Sequence, residues 1–65
     1  MFQTLQEHMA NDTYTKAIHL VKSSGEIIGD FSREEALKQY GNWYYSSGYT
    51  EGQGKVSIWI FKGGM

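Results

Sequence analysis

Apolar residues along this chain shift between strand-like and helix-like spacing, and each shift marks a boundary. From Thr13 to Lys22 the pattern alternates. Tyr14, Lys16, Ile18, Leu20 and Lys22 fall on one side, and Thr13, Thr15, Ala17, His19 and Val21 on the other. Alternation at period two predicts a strand, and apolar residues on both sides suit a central place in a sheet. Ser23-Ser24-Gly25-Glu26 is a turn signal. Glu26 to Phe31 returns as a second strand, with Gly29 marking a bulge or a close backbone approach.

At Ser32 the spacing becomes helical. Ser32 and Glu35 match a capping box, and Glu34 and Glu35 suit the positive end of the helix dipole. Ala36, Leu37, Tyr40 and Tyr44 form the apolar stripe, with Trp43 beside it. Gly41 could cap the helix early. The stripe favours continuation to about Ser47, with Gly48 as the cap and Gly41 where the helix approaches the sheet. Tyr49 to Gly54 reads as a loop. Lys55 to Phe61 reads as a final strand, with Val56, Ile58 and Ile60 under the helix and Ser57, Trp59 and Phe61 on the other face.

Before Thr13 the reading is open. Phe2, Leu5 and Met9 share one helical face, but a helix this short is marginal alone. Residues 1–12 are therefore a short helix or an arm, 13–62 a single domain, and 63–65 a loose tail. The order β-β-α-β predicts an α+β fold. It is a three-stranded antiparallel-type sheet with one helix on one face, and the other face is left to water, the N-terminal arm, a second copy or a partner.

Composition narrows the function. The chain has 65 residues, too few for a second domain, and no cysteine, so disulfides and thiolate metal sites are absent. Six basic residues face seven acidic ones, which argues against a nucleic-acid binder relying on phosphate contacts. No apolar run approaches the ~20 residues of a membrane span. The opening MFQTLQEHMA lacks the basic and apolar regions of a signal peptide. The expectation is a soluble cytoplasmic protein.

Candidate chemistry is sparse. His8 and His19 are the histidines, and neither has a ligand-spaced neighbour or a nucleophile beside it in sequence. Glu34 and Glu35 diverge as helix neighbours and are accounted for as capping residues; Glu26 and Asp30 decorate a strand. Gly52-Gln53-Gly54-Lys55 precedes a strand, whereas a phosphate cradle opens a helix. No catalytic residue, metal site or cofactor is expected. Aromatics are the positive signal: five Tyr, two Trp and three Phe are more than so small a core can hide. Tyr45, Tyr49, Trp59 and Phe61 are the candidate partner-binding residues, since Tyr and Trp are favoured interface anchors.

Phe31–Tyr44 followed by Lys55–Phe61 combines a strand pair, a helix opening S-x-x-E and A-L, a late aromatic pair and an aromatic closing strand. Over roughly half of the chain this resembles small phage-encoded one-domain proteins that inhibit bacterial RNA polymerase or host defence systems. The resemblance implies a non-catalytic inhibitor that occupies a surface of a bacterial host protein. The expectation is thus a protein-binding module, with a homodimer as one way to cover the open sheet face. The alternative is a nucleic-acid-binding module that stacks bases on sheet aromatics, helped by Lys16, Lys22, Lys55 and Lys62.

Overall fold

The computed structural model describes residues 2–63. Its elements are α1 (Leu5–Met9), β1 (Ala17–Lys22), β2 (Ile27–Ser32), α2 (Arg33–Tyr40), β3 (Tyr44–Gly52) and β4 (Lys55–Phe61). The strands form one four-stranded sheet in the order β2-β1-β4-β3. β1–β2 and β3–β4 are antiparallel hairpins, and the central strands β1 and β4 run parallel. The fold is α+β, but the sheet is mixed and has one strand more than the pattern predicts. The tail expected over 63–65 lies, beyond Gly63, outside the described residues.

The extra strand comes from the stretch assigned to the late helix and the loop. α2 stops at Tyr40, with Gly41 as its C-cap donating to the Leu37 carbonyl at 3.0 Å. Continuation to Ser47 would place Gly41, Asn42 and a run of aromatic and hydroxyl residues in a helix interior, where each is a poor former. In β3, Tyr44, Tyr45 and Ser47 pair with β4 instead. Tyr49 is therefore a strand residue. The loop shrinks to Gln53-Gly54, whose φ angles of 53° and 79° fit the two-residue turn that matches strand twist.

Other boundaries shift less. β1 starts at Ala17, four residues later than the alternation suggests, because Asp12 gathers Tyr14 and Thr15 into a turn. In β2, Gly29 (φ 146°) sits at a bulge: Leu20 faces Gly29 and Val21 faces Ile27, leaving Ile28 as the extra residue. Ser32 caps α2 as expected, accepting the Glu35 N–H at 3.2 Å. Glu35 does not complete the box; its carboxylate accepts from Gln39 instead.

The reciprocal box belongs to α1. Glu7 N–H donates to Thr4 Oγ1 at 3.1 Å and Thr4 N–H donates to Glu7 Oε1 at 2.9 Å. Five residues are too few for a self-supporting helix. α1 persists because its exposed first N–H groups meet the turn after α2: Leu5 donates to the Trp43 carbonyl at 2.7 Å and Gln6 to Gly41 at 3.0 Å. Its far end is held by Arg33, which donates to the Met9 carbonyl at 2.7 Å. Leu5 and Met9 are buried, so residues 4–9 belong to the core rather than forming a free arm.

Both helices cover the same sheet face. Leu5, Met9 and Ala36 close over Ile18, Leu20, Ile58 and Ile60 as one buried cluster. Leu37 and Tyr40 pack at its margin and are only half-buried. Leu5→Ala and Ile58→Ala should each cost about 2–5 kcal/mol, comparable to the whole stability of so small a domain. Leu37→Ala should cost less than either. Urea midpoints would test that order, and a Leu37→Ala loss equal to the other two would contradict this packing.

Candidate functional site

The sheet face turned away from the helices carries a band of aromatic rings. Strand alternation places Trp59 and Phe61 there from β4, and Val21 and His19 from β1. β3 adds Tyr44 opposite Phe61, Ser47 opposite Trp59 and Tyr49 opposite Ser57. Tyr44 stacks on Phe61 with ring centres 5.5 Å apart, and Tyr49 lies 5.8 Å from Trp59. Phe2 meets Phe61 edge-on at 5.1 Å. Tyr49 and Phe2 remain 58% and 60% exposed, so these rings form a surface rather than a second core. The Val21 side chain beneath is nonetheless 6% exposed.

One extra residue creates this arrangement. The β3–β4 register runs Tyr44–Phe61 and Tyr45–Ile60, then slips past Ser46 to Ser47–Trp59. Without that bulge, simple alternation would send Tyr49 to the helix side with Tyr45. With it, Tyr49 joins Trp59.

The structure therefore groups Tyr49, Trp59 and Phe61 but separates Tyr45 from them. Tyr45 packs at the edge of the core under α1, its ring stacked on His8 at 3.7 Å. Tyr44 and Phe2 complete the band, although the sequence pattern assigns both to helices. Tyr44 was legible only if the Tyr44–Gly52 run was read as a strand, for which the Gln53-Gly54 turn beside alternating residues is the signal.

Beside the rings the same face is polar. His19 Nδ1 lies 2.8 Å from Asp30 Oδ1, and Lys55 Nζ lies 3.9 Å from the same oxygen. Ser57 is the register partner of His19, so Ser57, His19 and Asp30 sit in one row across β4, β1 and β2. The row resembles a nucleophile–base–acid set, but its connections differ. Ser57 is 1% exposed and its hydroxyl donates to Glu51. A nucleophile needs its base within hydrogen-bond reach and an open approach. Ser57 has Glu51 as partner and no open approach. No group of three or more His, Asp or Glu side chains suited to a metal ion gathers among the described residues.

A second concavity lies on the helix side, where α1 ends before covering the tip of the β3–β4 hairpin. It is a groove of about 160 Å³ with Met9, Val56 and Ile58 among its apolar lining, Tyr45 and His8 on one side, and Asp12 as its acid. Asp12 Oδ1 accepts from the N–H groups of Tyr14 and Thr15 at 2.8 and 2.9 Å, and Oδ2 from the Thr15 hydroxyl at 2.7 Å. The Thr15 N–H, then the Thr15 hydroxyl, hold this carboxyl below its ordinary value of 3.8; the Tyr14 N–H and the Arg33 charge add to the shift, and burial opposes it.

No protein family matches the chain, and no curated protein or solved structure is similar to it. No helix among the described residues is long and apolar enough to cross a membrane.

The Asp12 turn makes an acid-side prediction. Because the folded protein holds this carboxyl below 3.8, the ionised form favours the native state. That contribution should be complete above the unfolded-state value and fade as the pH falls through the folded one. Asp12→Asn keeps an acceptor for the two N–H groups but removes the titration. Urea titrations from pH 5 down to about pH 2 should show a shallower loss of stability for the variant. Parallel curves would mean that Asp12 does not couple to folding.

Proposed function

We propose that this domain is a non-catalytic binding module that engages another protein through the aromatic band of its open sheet face. The observation that carries the reading is the sorting of rings. Both helices cover one face, while Tyr44, Tyr49, Trp59, Phe61 and Phe2 cluster on the other. Such a patch is costly to leave in water, and Tyr and Trp are the side chains most often found as interface anchors. Trp59, itself half-buried, is the central anchor beside the buried Val21; Tyr49 and Phe61 flank it. The polar row of His19, Asp30 and Lys55 beside them supplies a rim that fixes orientation more than affinity. The domain acts by occupying its partner's surface, without turnover. A bacterial host protein is the class of partner that the resemblance to phage inhibitors implies.

Base stacking on the same rings is the competing use. It is less favoured because Asp30 and Glu51 share the face with Lys55, placing carboxylates where a phosphate backbone would run. A second copy of the chain could also lie against this face.

Trp59→Ala and Tyr49→Ala should stay folded and each weaken partner binding by about 1–4 kcal/mol. Capture from a bacterial lysate by wild type and by both variants, read by mass spectrometry, should show proteins retained by wild type alone. Retention by all three would overturn the assignment. Nucleic acid released by salt, or a dimer abolished by the same substitutions, would replace the protein partner with the corresponding alternative. In a Trp43→Phe background, Trp59 emission should be quenched by acrylamide. A protected, blue-shifted Trp59 in a proven monomer would argue against an exposed anchor.

A further inference from the structure

The groove beside Asp12 lies on the helix side of the sheet, shares only Tyr49 with the aromatic band, and adjoins the outer edge of β3. β3 is paired with β4 on one side only. Its outer edge is met by the N-terminal segment at Tyr44 and Tyr45, through the Thr4–Tyr44 bridge and the Tyr45 N–H donating to Gln3 at 2.8 Å. Bulges at Tyr45/Ser47 and Thr50/Gly52 bracket a regular stretch, 47–50. An exposed edge is a template for another strand, and bulges at its ends limit how long that strand can be.

Within 47–50, Gly48 and Thr50 face the helix side, opposite Ile58 and Val56. Both line the groove. Gly48 has no room for a side chain: a Cβ there would lie 2.8 Å from the Ser57 carbonyl oxygen and 3.4 Å from both Ile58 Cγ1 and Tyr45 Cε1. Its bare backbone leaves the groove open toward the edge. A strand added beside β3 would place a residue directly across from Gly48 or Thr50, with Cβ atoms of paired positions about 4.5–5.5 Å apart. That residue's side chain would enter the groove.

The groove's size and chemistry select the side chain. At 160 Å³ it is smaller than the roughly 300–1,000 Å³ of a small-molecule site, but it can take one long side chain. Met9, Val56 and Ile58 offer apolar contact for an aliphatic stem, beside the Tyr45 ring that His8 stacks on. Asp12 is the acidic residue of the lining. Its Oδ2 accepts from Thr15 alone, so one acceptor site on that oxygen is unused. Arg33, the basic group that acts on Asp12, has its Nη2 committed to the Met9 carbonyl, and no ion pair within 4.0 Å joins the two.

We propose that this groove is the seat for a Lys or Arg side chain of an extended partner segment that pairs with the 47–50 edge of β3. The inference rests on the domain being a protein binder, but it uses the opposite side of the sheet from Trp59. The two can therefore fail separately.

The probe is a short peptide, acetyl-Thr-Val-Arg-Val-Thr-amide, with two analogues in which norleucine or Glu replaces Arg. Backbone amide shifts of the ¹⁵N-labelled domain are followed during titration. The Arg peptide should give saturable shifts at Asp12, at residues 47–50 and at the groove lining of Met9, Val56 and Ile58. The norleucine peptide should bind about tenfold more weakly, the loss expected for one charge-assisted contact, and the Glu peptide more weakly still. Asp12→Asn should bring the Arg peptide down to the norleucine level, while Trp59→Ala leaves it unchanged. Absence of saturable shifts with the Arg peptide would overturn the proposal, as would equal binding of all three peptides. So would binding that Trp59→Ala abolishes and Asp12→Asn does not. If Asp12→Asn fails to fold, the comparison of the three peptides on the wild-type domain still decides.

Discussion

β1 and β4 lie side by side in parallel, and every other element takes its position from that pairing. Ile18 faces Val56 and Leu20 faces Ile58 across the ladder, with Ile60 one step further beside Lys22. Ile18, Leu20, Ile58 and Ile60 are the sheet's share of the core, each at most 2% exposed. The partners are far apart in sequence, so their pairing must wait for a long loop to close. Each hairpin forms locally, but neither has a covered apolar face until the two meet. A two-stranded hairpin alone is marginal, whereas four strands under two helices are not.

That central pairing also explains why the N-terminal segment folds. Joining the two hairpins makes the helix-side face wider than α2 can cover, since α2 spans only Arg33–Tyr40. α1 fills the remainder with Leu5 and Met9. Its anchoring carbonyls, Gly41 and Trp43, are available because α2 ends at Tyr40. The early stop of one helix and the existence of the other are thus a single structural event.

The same geometry divides the surface into two regions with different chemistry. One face is broad and aromatic, with a polar row at its side. The other has a narrow acidic-edged groove next to the outer edge of β3. Were both regions used as proposed, the gain from linked contacts would depend on whether one partner reaches both.

Much of the fold was legible in the sequence. The Ser32 cap, the Ser23–Glu26 turn and the alternation of Val56–Phe61 are local signals, and they resolved as the residues indicate. Trp59 and Phe61 were assigned correctly to the face opposite the helix because β4 has no bulge to disturb its parity. Residues 41–52 were not legible, because aromatic residues at Trp43, Tyr44 and Tyr45 satisfy a helical stripe and a strand equally well. Only the presence of β4 as a pairing partner resolves that choice. Likewise, one unpaired residue near Ser46 decides that Tyr49 stands beside Trp59 while Tyr45 turns under α1. Local patterning determined which residues start, stop and alternate. Tertiary pairing decided which face each aromatic ring occupies, because a strand's sidedness changes with a register step of a single residue.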